Sequence, residues 1–201
     1  MVVKKNPIII AYAGANLSSL QFALKRVGYD VSITSSHNKI RNASHIFLPG
    51  VGAAASAMGK IKDNFLIDTL VNAKQPTLGI CLGMQLLFTS SDEGSAECLD
   101  IINGNAQIFE ANKNMPVPHM GWNKIKCISE SRITKNINDK EFAYFVHSYS
   151  LPECQYTIAT TDYGKTFSSI VEKDNFFGTQ FHPERSSDFG EMILKNFLDI
   201  D

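Results

Sequence analysis

Two short stretches of the sequence carry residues that can do covalent chemistry together. The first is Thr77-Leu78-Gly79-Ile80-Cys81-Leu82-Gly83-Met84-Gln85, where an apolar run ends in Gly-x-Cys-x-Gly and an amphipathic stretch follows. A strand, a sharp turn and a helix in that order form a nucleophile elbow, here with a thiol in place of serine. The flanking glycines remove side chains that would clash at such a turn. A thiol raised out of a sheet suits acyl transfer through a thioester, and it needs a base.

The second stretch supplies one. Phe176-Phe177-Gly178-Thr179-Gln180-Phe181 reads as a buried strand, and His182-Pro183-Glu184 follows it directly. In extended chain, residues two apart share a side. Glu184 is therefore placed to fix the tautomer of His182, with Pro183 stiffening the link. Cys81, His182 and Glu184 then have the roles of an activated nucleophile, its base and an orienting carboxylate. His147, at the end of Tyr144-Phe145-Val146-His147-Ser148-Tyr149, is a rival base. Lacking a carboxylate at that spacing, it reads as a strand-end histidine with a structural partner.

Other segments could complete the site. Leu48-Pro49-Gly50-Val51-Gly52 follows a strand and leads into a small-residue helix, so backbone N–H groups of Val51 and Gly52 can join that of Leu82 in an oxyanion hole. Pro116-Val117-Pro118-His119-Met120-Gly121-Trp122-Asn123 reads as a rigid loop. It holds the only tryptophan, expected as a core or edge aromatic, beside a surface histidine. An aromatic on a rigid loop also suits a partner surface. The cysteines Cys81, Cys98, Cys127 and Cys154 form no C-x-x-C pair, and the five histidines lack metal-ligand spacing. No metal and no cofactor are expected.

The elements that must position these residues alternate in the first half. Ile8 to Tyr12 is a continuous apolar run, as in a central parallel strand covered on both faces, and Val31 to Thr34, Ile46 to Leu48 and Thr77 to Ile80 read as further short strands. Between them lie helical patterns: Leu17, Leu20, Leu24 and Val27 after Asn16 as N-cap, then Met58, Ile61, Leu66, Leu70 and Val71, ended by Pro76. Met84, Leu87 and Phe88 of the elbow helix would face the sheet. The second half reads as strands at Ile101 to Phe109, Asn123 to Ile128, Phe142 to Val146, Tyr156 to Thr160, Phe167 to Val171 and Phe176 to Phe181. A terminal helix runs from about Phe189 to Leu198. This predicts an α/β fold over residues 1–201 as one domain: a central, mostly parallel sheet with helices on both faces and an antiparallel extension.

Composition narrows the class. A net charge of −1 gives no electrostatic case for nucleic acid or an anionic membrane. No apolar run approaches the roughly 20 residues that span a bilayer. The first residues lack the apolar core of a signal peptide, so a cytoplasmic protein is expected.

With these residues in view, the chain resembles the class I, triad-type glutamine amidotransferases. The resemblance rests on Gly-Ile-Cys81-Leu-Gly-Met-Gln85 with His182-Pro-Glu184. Three further blocks resemble the glutaminase subunits of imidazole glycerol phosphate synthase: residues 48–52, 118–123 and 144–149. It departs from that group at Tyr12-Ala13-Gly14-Ala15-Asn16, where a Tyr-Gly-x-Gly-Asn stretch is usual. It also departs at Ala54 or Ala55, where an aromatic is common.

The resemblance implies a flavodoxin-like amidotransferase fold and hydrolysis of glutamine to glutamate and ammonia, with glutamine held by Gln85, Glu93, Ser148 and Tyr149. It implies a heterodimer with a (β/α)₈-barrel cyclase subunit. That subunit would use the ammonia to form imidazole glycerol phosphate and aminoimidazole carboxamide ribotide in histidine biosynthesis. Met120, Trp122, Tyr144 and Arg185 are the candidates for the partner face. The Pro49–Gly52 loop is implied to shift on partner loading. Alternatives are a paralogous subunit feeding ammonia to surface-polysaccharide amino- or amidino-sugar synthesis, a stand-alone hydrolase such as a γ-glutamyl peptidase, and a non-catalytic binding or regulatory subunit.

Overall fold

The structure is a computed structural model that describes residues 5–12, 17–111, 115–137 and 141–201. The first half alternates as expected: β1 (Ile8–Ile10), α1 (Leu17–Arg26), β2 (Ser32–Thr34), α2 (His37–Arg41), β3 (Ile46–Gly50), α3 (Ala54–Asp63), α4 (Ile67–Val71) and β4 (Thr77–Cys81). The elbow helix α5 (Leu82–Gln85) is followed by β5 (Phe88–Ser91), β6 (Ala96–Glu97), β7 (Ile102–Ile108), β8 (His119–Lys124) and β9 (Lys126–Cys127). Then come β10 (Phe142–His147), β11 (Tyr149–Ser150), β12 (Thr157–Tyr163), β13 (Lys165–Lys173), β14 (Phe176–Thr179) and α6 (Ser187–Leu198).

The main sheet has eight strands in the order β2-β1-β3-β4-β14-β13-β12-β9. From β2 to β14 neighbours run parallel. From β14 onward they run antiparallel. This is the parallel sheet with an antiparallel extension that the pattern of elements implied. The strand ends carrying Cys81 and the His182 turn are brought side by side because β4 and β14 are parallel neighbours, with Thr179 opposite Ile80.

The continuous apolar runs are explained by two cores. Ile8, Ile10 and Leu48 face one cluster with Met58 and Ile61 of α3. Ile9, Phe47 and Leu78 face the other, with Leu20 and Leu24 of α1 and Phe197 of α6. Period-2 alternation along β1, β3 and β4 thus buries both of their faces, whereas the edge strand β2 is exposed at Ser32 and Ile33. Each fully buried Leu, Ile or Phe contributes roughly 1.5–3 kcal/mol.

Several expectations are corrected. Strand β1 ends at Ile10, so Tyr12 lies beyond it. Asn16, expected as the cap of α1, lies outside the described residues. Val71 is 37% exposed and takes no part in the core. Helix α5 is a single turn; Leu87 lies beyond it and Phe88 already begins β5, a strand the helical spacing concealed. The expected rigid loop around Trp122 is strand β8. His119 points inward, and Met120, Trp122 and Lys124 point outward, as alternation along a strand requires. His119 is buried, and Trp122 is 54% exposed rather than a core aromatic. Antiparallel pairing of β8 with β10 sets Trp122 opposite Tyr144 and Met120 opposite Val146.

Candidate active site

The elbow is built by glycines that let β4 and α5 press on β3. A Cβ on Gly83 would stand 1.8 Å from the Leu48 carbonyl oxygen, and one on Gly50 would stand 2.3 Å from the Gly83 nitrogen. Only glycine fits at either point. Cys81 itself adopts φ 54° and ψ −111°. A non-glycine residue there stores of order 1–3 kcal/mol of strain, held by the surrounding sheet.

The base sits on the adjoining strand end. His182 Nδ1 meets Glu184 Oε1 at 2.8 Å, and both side chains are buried. The His-Pro-Glu stretch is not extended: residues Pro183–Arg185 form a 3₁₀ turn capped by His182. The turn still brings the carboxylate under the imidazole. Helix α6 seals it from below, since a Cβ on Gly190 would lie 1.9 Å from the Pro183 carbonyl oxygen. Burial opposes a charge on His182, but the Cys81 sulfur and the Glu184 carboxylate outweigh it, and its pKa is pushed up to about 10. The macrodipole of a four-residue helix adds little, so the charge at the site is that of side chains.

A cavity of about 400 Å³ opens over the sulfur. Cys81, Leu82, Val51, Gly52, Gln85, Glu93, Ser148, Tyr149, His182 and Arg185 all line it. The structure therefore gathers residues that lie as far apart in the chain as 51 and 185. Glu184 stands behind His182. Met120, Trp122 and Tyr144 lie outside the cavity on the outer face of the β8–β10 ribbon, where Trp122 meets Tyr144 edge-on at 6.2 Å. Arg185 joins the two regions: it lines the cavity and lies 5.9 Å from the Tyr144 ring centre.

The loop between β3 and α3 is tied at both ends. The buried Tyr12 hydroxyl donates to the Pro49 carbonyl. Glu93 accepts from the Ala54 amide at 2.9 Å. Val51, 41% exposed, and Gly52, at φ 91°, lie between these ties. Desolvation, with the nearby Cys81, raises the Tyr12 phenol well above its ordinary range, so it remains a donor.

His147 is not a second base. Its Nδ1 meets the Tyr149 carbonyl at 2.8 Å, and its Nε2 meets His119 Nδ1 at 3.0 Å. Burial lowers His147 to about 3 and His119 to about 4, so both are neutral at pH 7. Because the Tyr149 oxygen can only accept, the proton of His147 is on Nδ1 and its Nε2 accepts from His119.

Three buried contributors went unread in the sequence. Tyr12 looked like the last residue of a strand. Ser186, wholly buried, donates to the His182 carbonyl at 2.7 Å and accepts from the Tyr144 amide at 3.0 Å. Gln180, also wholly buried, reaches the Cys81 sulfur with its Nε2 at 3.8 Å. A polar glutamine inside the apolar run from Phe176 to Phe181 was the available signal.

The profile of the Glutamine amidotransferase class-I family matches residues 10–200. The chain belongs to that family. Among amidotransferases whose identity is curated, it is 45% identical over 193 residues to the imidazole glycerol phosphate synthase subunit HisH 2 of Legionella pneumophila strain Paris. That alignment covers 96% of this chain and 97% of the relative. It is 47% identical to the HisH subunit of Buchnera aphidicola subsp. Schizaphis graminum, over 92% of this chain and 95% of that one. Solved amidotransferase-fold structures superpose at low identity. A crystal structure of a glutamine amidotransferase gives a TM-score of 0.75 at 14% identity, covering 96% and 97% of the two chains. PurLQS from Thermotoga maritima gives 0.73 at 18%, covering 97% and 98%. These two speak for the fold alone.

Proposed function

We propose that this class-I amidotransferase is a HisH-type glutaminase subunit of imidazole glycerol phosphate synthase, acting in histidine biosynthesis. The observation that carries the chemistry is the strained Cys81 beside His182 in the lining of one cavity, with Glu184 bonded to the far side of the imidazole. The thiolate of Cys81 attacks the side-chain amide carbon of glutamine. The oxyanion that forms is held by the N–H groups of Leu82 and of the Val51–Gly52 segment. His182 gives its proton to the departing ammonia, then takes one from the water that hydrolyses the glutamyl thioester. Glu184 orients the imidazole throughout. Glutamine lies along Ser148 and Tyr149, with Gln85 fixing the Tyr149 carbonyl at 3.0 Å and Glu93 fixing the start of α3.

Residues 1–201 act as one catalytic unit, working in the cytoplasm as a heterodimer with a (β/α)₈-barrel cyclase. Ammonia would be protonated in bulk water, so it passes directly between the subunits. The outer face of the β8–β10 ribbon, with Met120, Trp122 and Tyr144 beside Arg185, is the docking face. The relatives are named for the histidine-pathway synthase, which favours that acceptor over a sugar-pathway one.

The reading is tested by assaying glutamine hydrolysis with and without the barrel cyclase and its ribonucleotide substrate. Formation of imidazole glycerol phosphate from glutamine supports it. Glutamine hydrolysis that never yields this product with any barrel cyclase contradicts it.

A further inference from the structure

The carboxamide of Gln180 is fully buried and reaches toward the nucleophile. Its Oε1 accepts from Gln85 Nε2 at 3.1 Å, and its Nε2 lies 3.8 Å from the Cys81 sulfur. The orientation is fixed by the network. Gln85 donates the same Nε2 to the Tyr149 carbonyl, an obligate acceptor. Gln85 therefore presents N–H to Gln180, the Gln180 atom it meets is oxygen, and the atom facing sulfur is nitrogen.

The sulfur has a second neighbour of opposite character. Its S–H can donate to the Val146 carbonyl, also at 3.8 Å. The thiol thus lies between an acceptor that suits only its protonated form and a donor that suits only its lone pairs. On ionisation the Val146 contact becomes repulsive, and the Gln180 contact becomes a charge-assisted hydrogen bond.

We propose that Gln180 is a catalytic residue whose carboxamide N–H holds the Cys81 sulfur as the thiolate, before attack on glutamine and again as the leaving group of the glutamyl thioester. In that second step water adds to the acyl carbon, the C–S bond breaks and its electron pair returns to sulfur. His182 keeps the water proton, so thiolate and imidazolium are restored together. The chain Tyr149–Gln85–Gln180–Cys81 also joins the glutamine pocket to the nucleophile. The proposal rests on the nucleophile reading above.

The test uses the full chain with Gln180→Met, close in shape but without the donor, and Gln180→Glu, which turns an acceptor toward sulfur. Thiolate is read at neutral pH by absorbance at 240 nm against Cys81→Ala, and by the rate of iodoacetamide alkylation of Cys81. Gln180→Met is expected to lose thiolate absorbance and to alkylate about tenfold to a hundredfold more slowly, the loss of one hydrogen bond to a charged group. The rate should recover at high pH. kcat should fall by a similar factor with KM for glutamine little changed, and Gln180→Glu should be worse. In unsubstituted protein, the Gln180 side-chain NH₂ resonances should shift when Cys81 is alkylated. Thiolate content and alkylation as in the parent protein, or unmoved NH₂ resonances, would overturn the proposal while leaving Cys81 as nucleophile. Turnover by Cys81→Ala would instead overturn the reading beneath it.

Discussion

The backbone amide of His182 donates to the carbonyl of Tyr144 at 3.0 Å. The proposed base is thereby hydrogen-bonded to the strand whose outer face carries the proposed partner surface. Ser186 doubles the tie, bonding the His182 carbonyl and the Tyr144 amide with one hydroxyl. Cavity and ribbon are thus joined by a backbone hydrogen bond and by the short, buried Ser186 side chain, besides the Arg185 side chain.

Ser186→Ala would take the acceptor of the Tyr144 amide away in a buried place, while the His182 carbonyl would keep the Arg185 amide at 3.0 Å. A buried unsatisfied polar group costs about 1–3 kcal/mol. The variant should lose about 2 kcal/mol of stability, read by urea denaturation, and kcat should fall more than KM rises. An unchanged denaturation midpoint with unchanged kcat would show that the tie is idle.

Gly83→Ala tests the elbow. Its new methyl would overlap the Leu48 carbonyl at 1.8 Å, so β3 and α5 must part. Overpacking of this kind costs about 1–3 kcal/mol. The shift also moves Cys81, so activity should fall by more than the stability loss explains. Thermal melting and glutaminase assays on the same preparation check both.

Stability should have its maximum a little below neutral pH. Burial lowers His45 and His119 to about 4 and His147 to about 3, against about 6.5 in the unfolded chain. Below pH 6.5 the unfolded chain binds more protons at these sites, so stability falls with falling pH, by at most about 1.4 kcal/mol per histidine per unit. His182 has the opposite sense. With its folded pKa raised to about 10, its contribution is complete below pH 6.5 and is lost as pH rises toward 10. Melting curves at pH 5, 6.5 and 9 should show the middle value highest. A flat profile from pH 5 to 6.5 would contradict the neutral, buried histidines.

Trp122→Ala probes the docking face. The ring is 54% exposed and packs edge-on against Tyr144, so the free subunit should keep its stability within about 0.5 kcal/mol. Affinity for the barrel cyclase, measured by calorimetric titration, should weaken by about 2 kcal/mol, as buried interface tryptophans do. Unchanged affinity would place the interface elsewhere.

The sheet was legible because its strands are short apolar runs and its helices keep period 3.6. The stretches proposed to be catalytic drew notice in the sequence because a cysteine stands between glycines and a histidine two before a glutamate, and the fold sets them on neighbouring strand ends. The β8 strand was hidden by its composition: two prolines precede it, and its outward residues, Met120 and Trp122, are apolar like core residues. Alternation inverts the usual sign there, so His119 faces inward and Trp122 outward. Tyr12, Ser186 and Gln180 act through hydrogen bonds to atoms 37 to 99 positions away. Those atoms come within reach through the pairing of β1 with β3 and of β4 with β14 and through the packing of β10 on the turn after β14, and no local pattern records it.

The central claim is that Cys81 is the nucleophile of glutamine hydrolysis, and trapping its acyl-enzyme tests that most directly. In His182→Asn the thioester should form slowly and persist, because no base remains to activate water. Incubation with glutamine, acid quenching and peptide mass spectrometry should then show one glutamyl group on the peptide holding Cys81, and none in Cys81→Ser. A glutamyl group on another residue, or steady ammonia release by Cys81→Ala, would contradict the account.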